Sequence, residues 1–339
     1  MDPEQEAQMG RQWEAQMGRE DALIAAMRRH LPVGERTLIG SGDDCASIAA
    51  PEQRFIVTTD AIVENEHFTL EWSSFHDVGR RAAAQNLADI AAQGGRASAL
   101  VVALVMPPYV SDEQVVDLVT GFGQEVSCTR AGVVGGDVTA GSQLVVSVTA
   151  LGYTPYGDVQ RGNAQVGDVV AICGTLGFSY VGYQLLKTGQ VPGTLRTSEV
   201  QPTLAPYVDT YRAPHPPYEA GVLAAQAGAH AMMDISDGLS TDAKRMADAS
   251  AVTLAFVGTQ LRGFSRQLKP GAEAAGVDPW ECVLNGGEDH SLLACFPPES
   301  TLPDGFQVVG RVEESAEGGA VTLDGRPVAE AGWDHLSER

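Results

Sequence analysis

The stretch RFIVTTDAIV, residues 54–63, decides how the first half of the chain is read. Its β-branched residues mark a strand, yet Thr58, Thr59 and Asp60 place hydroxyls and a carboxylate in the middle of it. A helix is expected over residues 76–92, then an apolar strand over 99–106. Ser111, with Gln114 three residues on, forms a capping-box pattern for a helix through Glu125, and QLVVSVTALG is a further strand ending near Gly152. Upstream, residues 22–29 suggest a short helix. Strands alternating with long helices define an α/β or α+β unit over 21–152, preceded by a polar extension over 1–20.

Residues 153–167 are rich in turn formers and lack periodicity, which makes them the expected linker to a C-terminal αβ domain over 168–339. Within that domain DVVAICG reads as a strand, FSYVGYQLLKTG as a helix ended by Gly189, and PPYEAGVLAAQAG as a helix with prolines near its start. Further strands are expected at 252–257, 291–296, 306–312 and 320–323. Residues 199–211 show no clear pattern.

With 339 residues the chain has room for two domains that each bury a core, and 44% hydrophobic against 19% charged residues is ordinary for a globular protein. Lys and Arg number 22 against 44 Asp and Glu, a formal charge of −22 that disfavours nucleic acid and anionic membrane as partners. Five cysteines lie far apart with no CxxC pair, so neither a zinc knuckle nor a disulfide framework is indicated, and a cytoplasmic location is expected. The first twenty residues contain no apolar leader core, and no run approaches the length of a membrane span.

The acids recur in a particular setting: GSGDDC at 40–45, TTD at 58–60, NLADIAAQGG at 86–95, VVGGD at 133–137, MDISDGLSTD at 233–242 and GGED at 286–289. Each carboxylate is flanked by Gly, Ser, Thr or small apolar residues. Taken singly, an Asp beside Gly is more often a turn or a helix cap than a ligand. Six such sites together suit a hard cation such as Mg²⁺, which takes carboxylates, water and substrate phosphates, while the glycines let backbone approach phosphate oxygens. Asp43 and Asp44 are adjacent and point apart in an extended segment; Asp234 and Asp237 align only if the chain there is already turning into a helix. No P-loop, G-x-G-x-x-G, kinase catalytic set or nucleophile elbow is present, so any nucleotide must be held through metal ions and backbone.

Taken in order, GDDCA, TTDAIVENEHF, NLADIAAQG, GGDVT, RGNAQVGD, DISDGL, GGED and GWDH resemble the thiamine-monophosphate kinase family, over residues 21–336. Its superfamily also holds aminoimidazole ribonucleotide synthetase, selenophosphate synthetase and a hydrogenase-maturation protein. The resemblance implies a two-domain fold, with an N-terminal sheet pairing across a homodimer and a C-terminal αβ domain closing a cleft. It also implies ATP-dependent phosphorylation of thiamine monophosphate to thiamine diphosphate, by direct in-line transfer with several Mg²⁺ ions. Carried over by position, the metal ligands would be Asp44, Thr58, Thr59, Asp60, Asp89, Asp137, Asp234 and Asp237, of which Asp44, Asp60, Asp89, Asp137 and Asp237 would form the catalytic set. Asp44, Thr58, Gly136, Asp137, Arg161 and Ser236 would meet the nucleotide, and His67, Glu288 and Trp333 the thiamine side. The chain departs from the family pattern at GGDVTAG, where Ala140 replaces a basic residue, at Asp158 in the linker, and at Ala88 in NLAD. The alternatives are a superfamily enzyme acting on another acceptor and a nucleotide- or metal-binding regulator without turnover.

Overall fold

The computed structural model describes residues 19–41, 45–316, 318–329 and 331–332. The chain opens with helix α1 (Arg19–Arg28) and a two-stranded ribbon, β1 (Thr37–Ile39) with β2 (Ser47–Ile48). A four-stranded sheet then takes the order β3-β6-β4-β5, from β3 (Ile56–Val63), β4 (Arg96–Met106), β5 (Gly132–Ala140) and β6 (Val145–Tyr153). The pairing is antiparallel except for β4 with β5.

Two helices cover one face of this sheet, α2 (Phe75–Ala92) and α3 (Asp112–Val126). Both start on capping boxes: Ser74 with Asp77, and the expected Ser111 with Gln114. They pack closely because glycines lie at the contact. A Cβ on Gly79 would sit 1.9 Å from the Leu118 carbonyl oxygen, and one on Gly121 2.0 Å from that of His76.

The second sheet has seven strands in the order β13-β12-β9-β11-β7-β10-β8. Its members are β7 (Val169–Cys173), β8 (Ala231–Ile235), β9 (Val252–Phe256), β10 (Ser291–Phe296), β11 (Phe306–Glu314), β12 (Ala320–Leu323) and β13 (Arg326–Pro327). Its helices are α4 (Phe178–Lys187), α5 (Ala205–Arg212), α6 (Tyr218–Gln226), α7 (Leu239–Ser250), α8 (Gly258–Ala275) and α9 (Pro279–Asn285). Side chains alternate between the faces, as the pleat requires. Val170, Ile172, Met233, Ile235, Leu293 and Cys295 point into the larger core, with Leu185, Phe264 and Leu268 of the helices. Ala171, Met232, Leu292, Ala294 and Phe296 point the other way, toward α6 and Ala92 at the end of α2.

Helix α2 is therefore the shared element. It lies under the N-terminal sheet and also against β8, α5 and α6, and its run from Arg81 to Ala88 is buried without interruption. An Ala-rich sequence suits that position, because small side chains let sheet and helices approach from two sides.

Several sequence expectations change in detail. VVGGD, left without a secondary structure by the sequence, is a strand: Gly135, Gly136 and Asp137 lie within β5. The unreadable 199–211 region contains a 3-10 turn (Thr197–Glu199) and α5, whose pattern is masked by Pro206 at its start and by burial of Tyr207, Val208 and Tyr211. Helices α8 and α9 have no counterpart among the expected elements. Among the described residues, no helix is long and apolar enough to cross a membrane.

Candidate active site between the two sheets

Strand β3 presents Thr58, Asp60 and buried Ile62 on its helix-facing side, as the two-residue period dictates. Thr58 Oγ1 donates to Asp89 Oδ2 at 2.6 Å, and the Asp60 amide donates to Asn86 Oδ1 at 3.1 Å. Thr59 points to the opposite face, donating to the Val148 carbonyl at 2.9 Å. From the other domain, Asp234 shares the face of β8 that carries Met232, so it faces α2. Asp60 and Asp89 of one domain thereby meet Asp234 of the other. Burial first, then Asp234 and Asp60, push the Asp89 carboxyl from 3.8 up to about 7, with Thr58 and His290 opposing.

His290 is the resident cation of this cluster. Its Nδ1 donates to Asp234 Oδ2 at 3.0 Å. Burial alone would lower its pKa, but Asp234, Glu288 and Asp89 raise it to about 9. Among the described residues its Nε2 is buried without a hydrogen-bond partner.

The turn after β8 carries Ser236 and Asp237. Asp237 is not on a helix with Asp234, the one condition under which their spacing would align them: Asp234 belongs to β8, Gly238 breaks the chain at φ 112°, and α7 begins at Leu239. The turn is held instead by Asp242, whose Oδ2 accepts the Ser236 and Asp237 amides at 2.9 and 2.8 Å. Burial, and the nearby Asp234 and Asp237, raise the Asp242 carboxyl to about 6 against the amide bond from Asp237. Arg245 Nη1 bridges Asp237 at 2.6 Å and Asp242 at 2.7 Å. Arg161 lies in a 3-10 turn (Arg161–Asn163) packed on α7, its carbonyl accepting from Ser250 Oγ at 3.1 Å.

The GGED loop splits its two acids. Glu288 and His290 adopt left-handed φ of 67° and 53°, a conformation that costs a non-glycine residue free energy. Glu288 turns to Arg81 of α2, with Gln85 Nε2 at 3.5 Å from the same carboxyl oxygen. Burial would raise the Glu288 carboxyl, but Arg81, then His290 and His67, hold it below the usual range. Asp289 turns away to α4, where its Oδ1 accepts from Thr175 Oγ1 at 2.8 Å and from the Phe178 amide at 3.1 Å. It supplies the cap that the helix's own N-cap, Gly177, cannot.

A cavity of about 500 Å³ opens beside Glu288, with His67, Trp72, Arg81, Tyr183 and Tyr211 among its walls. His67 is oriented by the Val63 amide, which donates to its Nδ1 at 3.1 Å. A second cavity, of about 410 Å³, lies beside Gly136 and Asp137, between α1, α3 and the β4–β5 edge. Asp137 does not join the acid cluster within this chain. Sheet order places β6 and β4 between β5 and β3, roughly 14 Å of sheet at the usual strand spacing. Asp44 and Trp333 lie outside the described residues.

Sequence reasoning missed Arg81, Gln85, Asn86, His290, Asp242 and Arg245. The first two were legible in part: Arg81, Gln85 and Asp89 recur every four residues in the otherwise small-residue helix RRAAAQNLADIAA, so they share one face.

The donor set consists of carboxylates and the Thr58 hydroxyl, with like charges that raise one another's pKa values. That chemistry fits a hard, oxygen-seeking cation. Among the described residues, however, no three His, Cys, Asp or Glu side chains are already gathered as a complete metal site.

Two αβ domains joined along a shared helix, with acids from both meeting at the seam, define a member of the AIR synthase related proteins: residues 42–154 match the family's N-terminal domain and 165–324 its C-terminal domain. The thiamine-monophosphate kinase of Mycobacterium tuberculosis is 40% identical over 321 residues, covering 94% of this chain and 90% of the relative. That of Aquifex aeolicus is 32% identical over 296 residues, covering 87% and 92%. A solved structure, AaThiL complexed with AMPPCP and TMP, superimposes with a TM-score of 0.75 at 31% identity, over 87% of this chain and 91% of that one. The hydrogenase maturation protein HypE in complex with ATP, at 16% identity and TM-score 0.67, shares the fold alone. The chain belongs to the thiamine-monophosphate kinase family and is a phosphotransferase.

Proposed function

We propose that this enzyme transfers the γ-phosphoryl group of ATP to thiamine monophosphate, forming thiamine diphosphate and ADP. The meeting of Asp60 and Asp89 with Asp234 across the domain seam, beside the cavity lined by His67 and Glu288, is the observation that carries the assignment. A terminal phosphate oxygen of the acceptor attacks the γ-phosphorus in line, while the bond from that phosphorus to the β–γ bridging oxygen breaks and its electron pair leaves with ADP. The attacking oxygen is already anionic near neutral pH, so no strong general base is required.

Bound Mg²⁺ would supply the positive charge that lets two polyanions approach. Thr58, Asp60, Asp89, Asp234 and Asp237 would hold it, with Asp44 and Asp137 as further proposed ligands. Thr58 orients Asp89 through its 2.6 Å bond, and His290 limits repulsion within the cluster. Asp242 and Arg245 keep the Ser236–Asp237 turn in shape for the nucleotide phosphates, and Arg161 is a further proposed nucleotide contact. Glu288, seated by Arg81, faces the thiamine side with His67 and the proposed Trp333.

The open face of the N-terminal sheet, where Val57 is 66% exposed, supports pairing with a second copy. A linker over 153–167 and a cytoplasmic location complete the proposal. Purified protein incubated with ATP, Mg²⁺ and thiamine monophosphate should form equal amounts of thiamine diphosphate and ADP, dependent on metal and acceptor. ADP without thiamine diphosphate would refute the acceptor.

A further inference from the structure

The cavity beside Glu288 has a charge pattern that phosphate transfer does not explain. Three carboxylates line it, Glu66, Glu71 and Glu288. Glu288 is committed to Arg81, whose guanidinium largely cancels its charge. Glu66 and Glu71 are exposed and add negative charge at the mouth of a cavity whose substrate is itself an anion. A phosphate alone would not be met by such a rim.

Behind the rim stands a wall of three aromatic rings. Trp72 lies 5.8 Å from Tyr183 and 6.1 Å from Tyr211, and the two tyrosines are 6.0 Å apart, centroid to centroid. At these separations the rings pack edge-on or tilted against one another, and all three residues line the cavity. The same tyrosines already carry cations elsewhere: Arg81 lies over Tyr211 at 5.5 Å and Lys187 over Tyr183 at 5.2 Å. Arg81 is buried, and among the described residues its Nε has no hydrogen-bond partner.

We propose that this cavity selects its acceptor by the positive charge of the acceptor's heteroaromatic ring, with Glu66 and Glu71 supplying the negative field and Trp72, Tyr183 and Tyr211 the wall on which the ring rests. The inference rests on thiamine monophosphate being the acceptor and goes beyond it, because it assigns recognition to the charge on the ring. The thiazolium carries a permanent positive charge, which aromatic faces and carboxylates favour together. The phosphate end then lies toward His67 and the acid cluster, to which Glu288 is tied through its amide bond to the Ser236 carbonyl at 2.7 Å.

The test is equilibrium binding without ATP, at low salt, where exposed charges are least screened. Thiamine is compared with the isostere in which the thiazolium nitrogen is replaced by carbon, for wild type, Glu66→Gln/Glu71→Gln and Trp72→Leu. Wild type should bind the cation about tenfold more tightly, the combined size of an exposed cation–ring contact and a screened ion pair. The double variant should reduce that ratio to about two and raise KM for thiamine monophosphate by a similar factor, with kcat unchanged. Trp72→Leu should weaken both compounds. Equal binding of cation and isostere by wild type, or an unchanged ratio in the double variant, overturns the proposal while leaving the kinase assignment intact. Absence of binding by thiamine monophosphate itself overturns both.

Discussion

Replacing Asp89 by Asn should make the metal-free protein more stable while disabling it. Asp89 is a carboxyl that the fold holds against its own preference. Burial, followed by Asp234, raises its pKa from 3.8 to about 7. A carboxyl whose folded pKa is raised binds its proton more tightly in the native state. The stability this confers is fully present below about pH 4 and is lost as the pH rises through about 7. A rise of about three pH units, at about 1.4 kcal/mol each, sets a ceiling on the order of 4 kcal/mol. Asp89 retains partial solvent contact and shares its charge with Asp234, so about 2 kcal/mol is expected at pH 8. Asparagine keeps the size and can still accept the Thr58 hydroxyl.

Thermal unfolding in chelator-treated buffer should therefore show Asp89→Asn melting about 4 °C above wild type at pH 8, with the gap closing toward pH 4. Thiamine diphosphate formation by the variant should fall by about 100-fold or more, the usual scale for removing a group that organises transition-state charge. A melting difference independent of pH, or a variant less stable at pH 8, would refute the electrostatic account of the seam.

Two further perturbations probe the frame around the site. Arg81→Met leaves the half-buried Glu288 without its cation and should cost about 2–3 kcal/mol in urea unfolding, with more than half recovered in Arg81→Met/Glu288→Gln. Gly79→Ala drives a Cβ to 1.9 Å from the Leu118 carbonyl oxygen, forcing α2 and α3 apart, and should lower stability by about 3 kcal/mol in the same measurement.

Much of the architecture was legible because it depends on local patterns. Ser111 and Gln114 announced α3 through a capping box that forms between residues three apart. The strand at 54–63 was visible in its β-branched residues, and its polar centre marked Thr58 and Asp60 as unusual. Asp289 shows the limit: beside Glu288 in GGED it reads as one more acid of a glycine-flanked site, yet it caps a helix more than a hundred residues upstream. Gly136 and Asp137 show another, since glycines and an acid carry no strand signal of their own where pairing with β4 imposes an extended chain.

The amino-acid sequence by itself determined the alternation of strands and helices, the small-residue setting of the acids and the face that Arg81, Gln85 and Asp89 share, because periodicity and capping act within a few residues. Only the tertiary structure decided which acids meet. Asp234 faces Asp89 because β8 lies at one edge of its sheet with the Met232 side turned to α2, and Asp137 stands apart because two strands intervene. Sheet order and domain docking arise from long-range burial of apolar faces, so residues separated by more than a hundred positions become electrostatic neighbours only once both cores have formed.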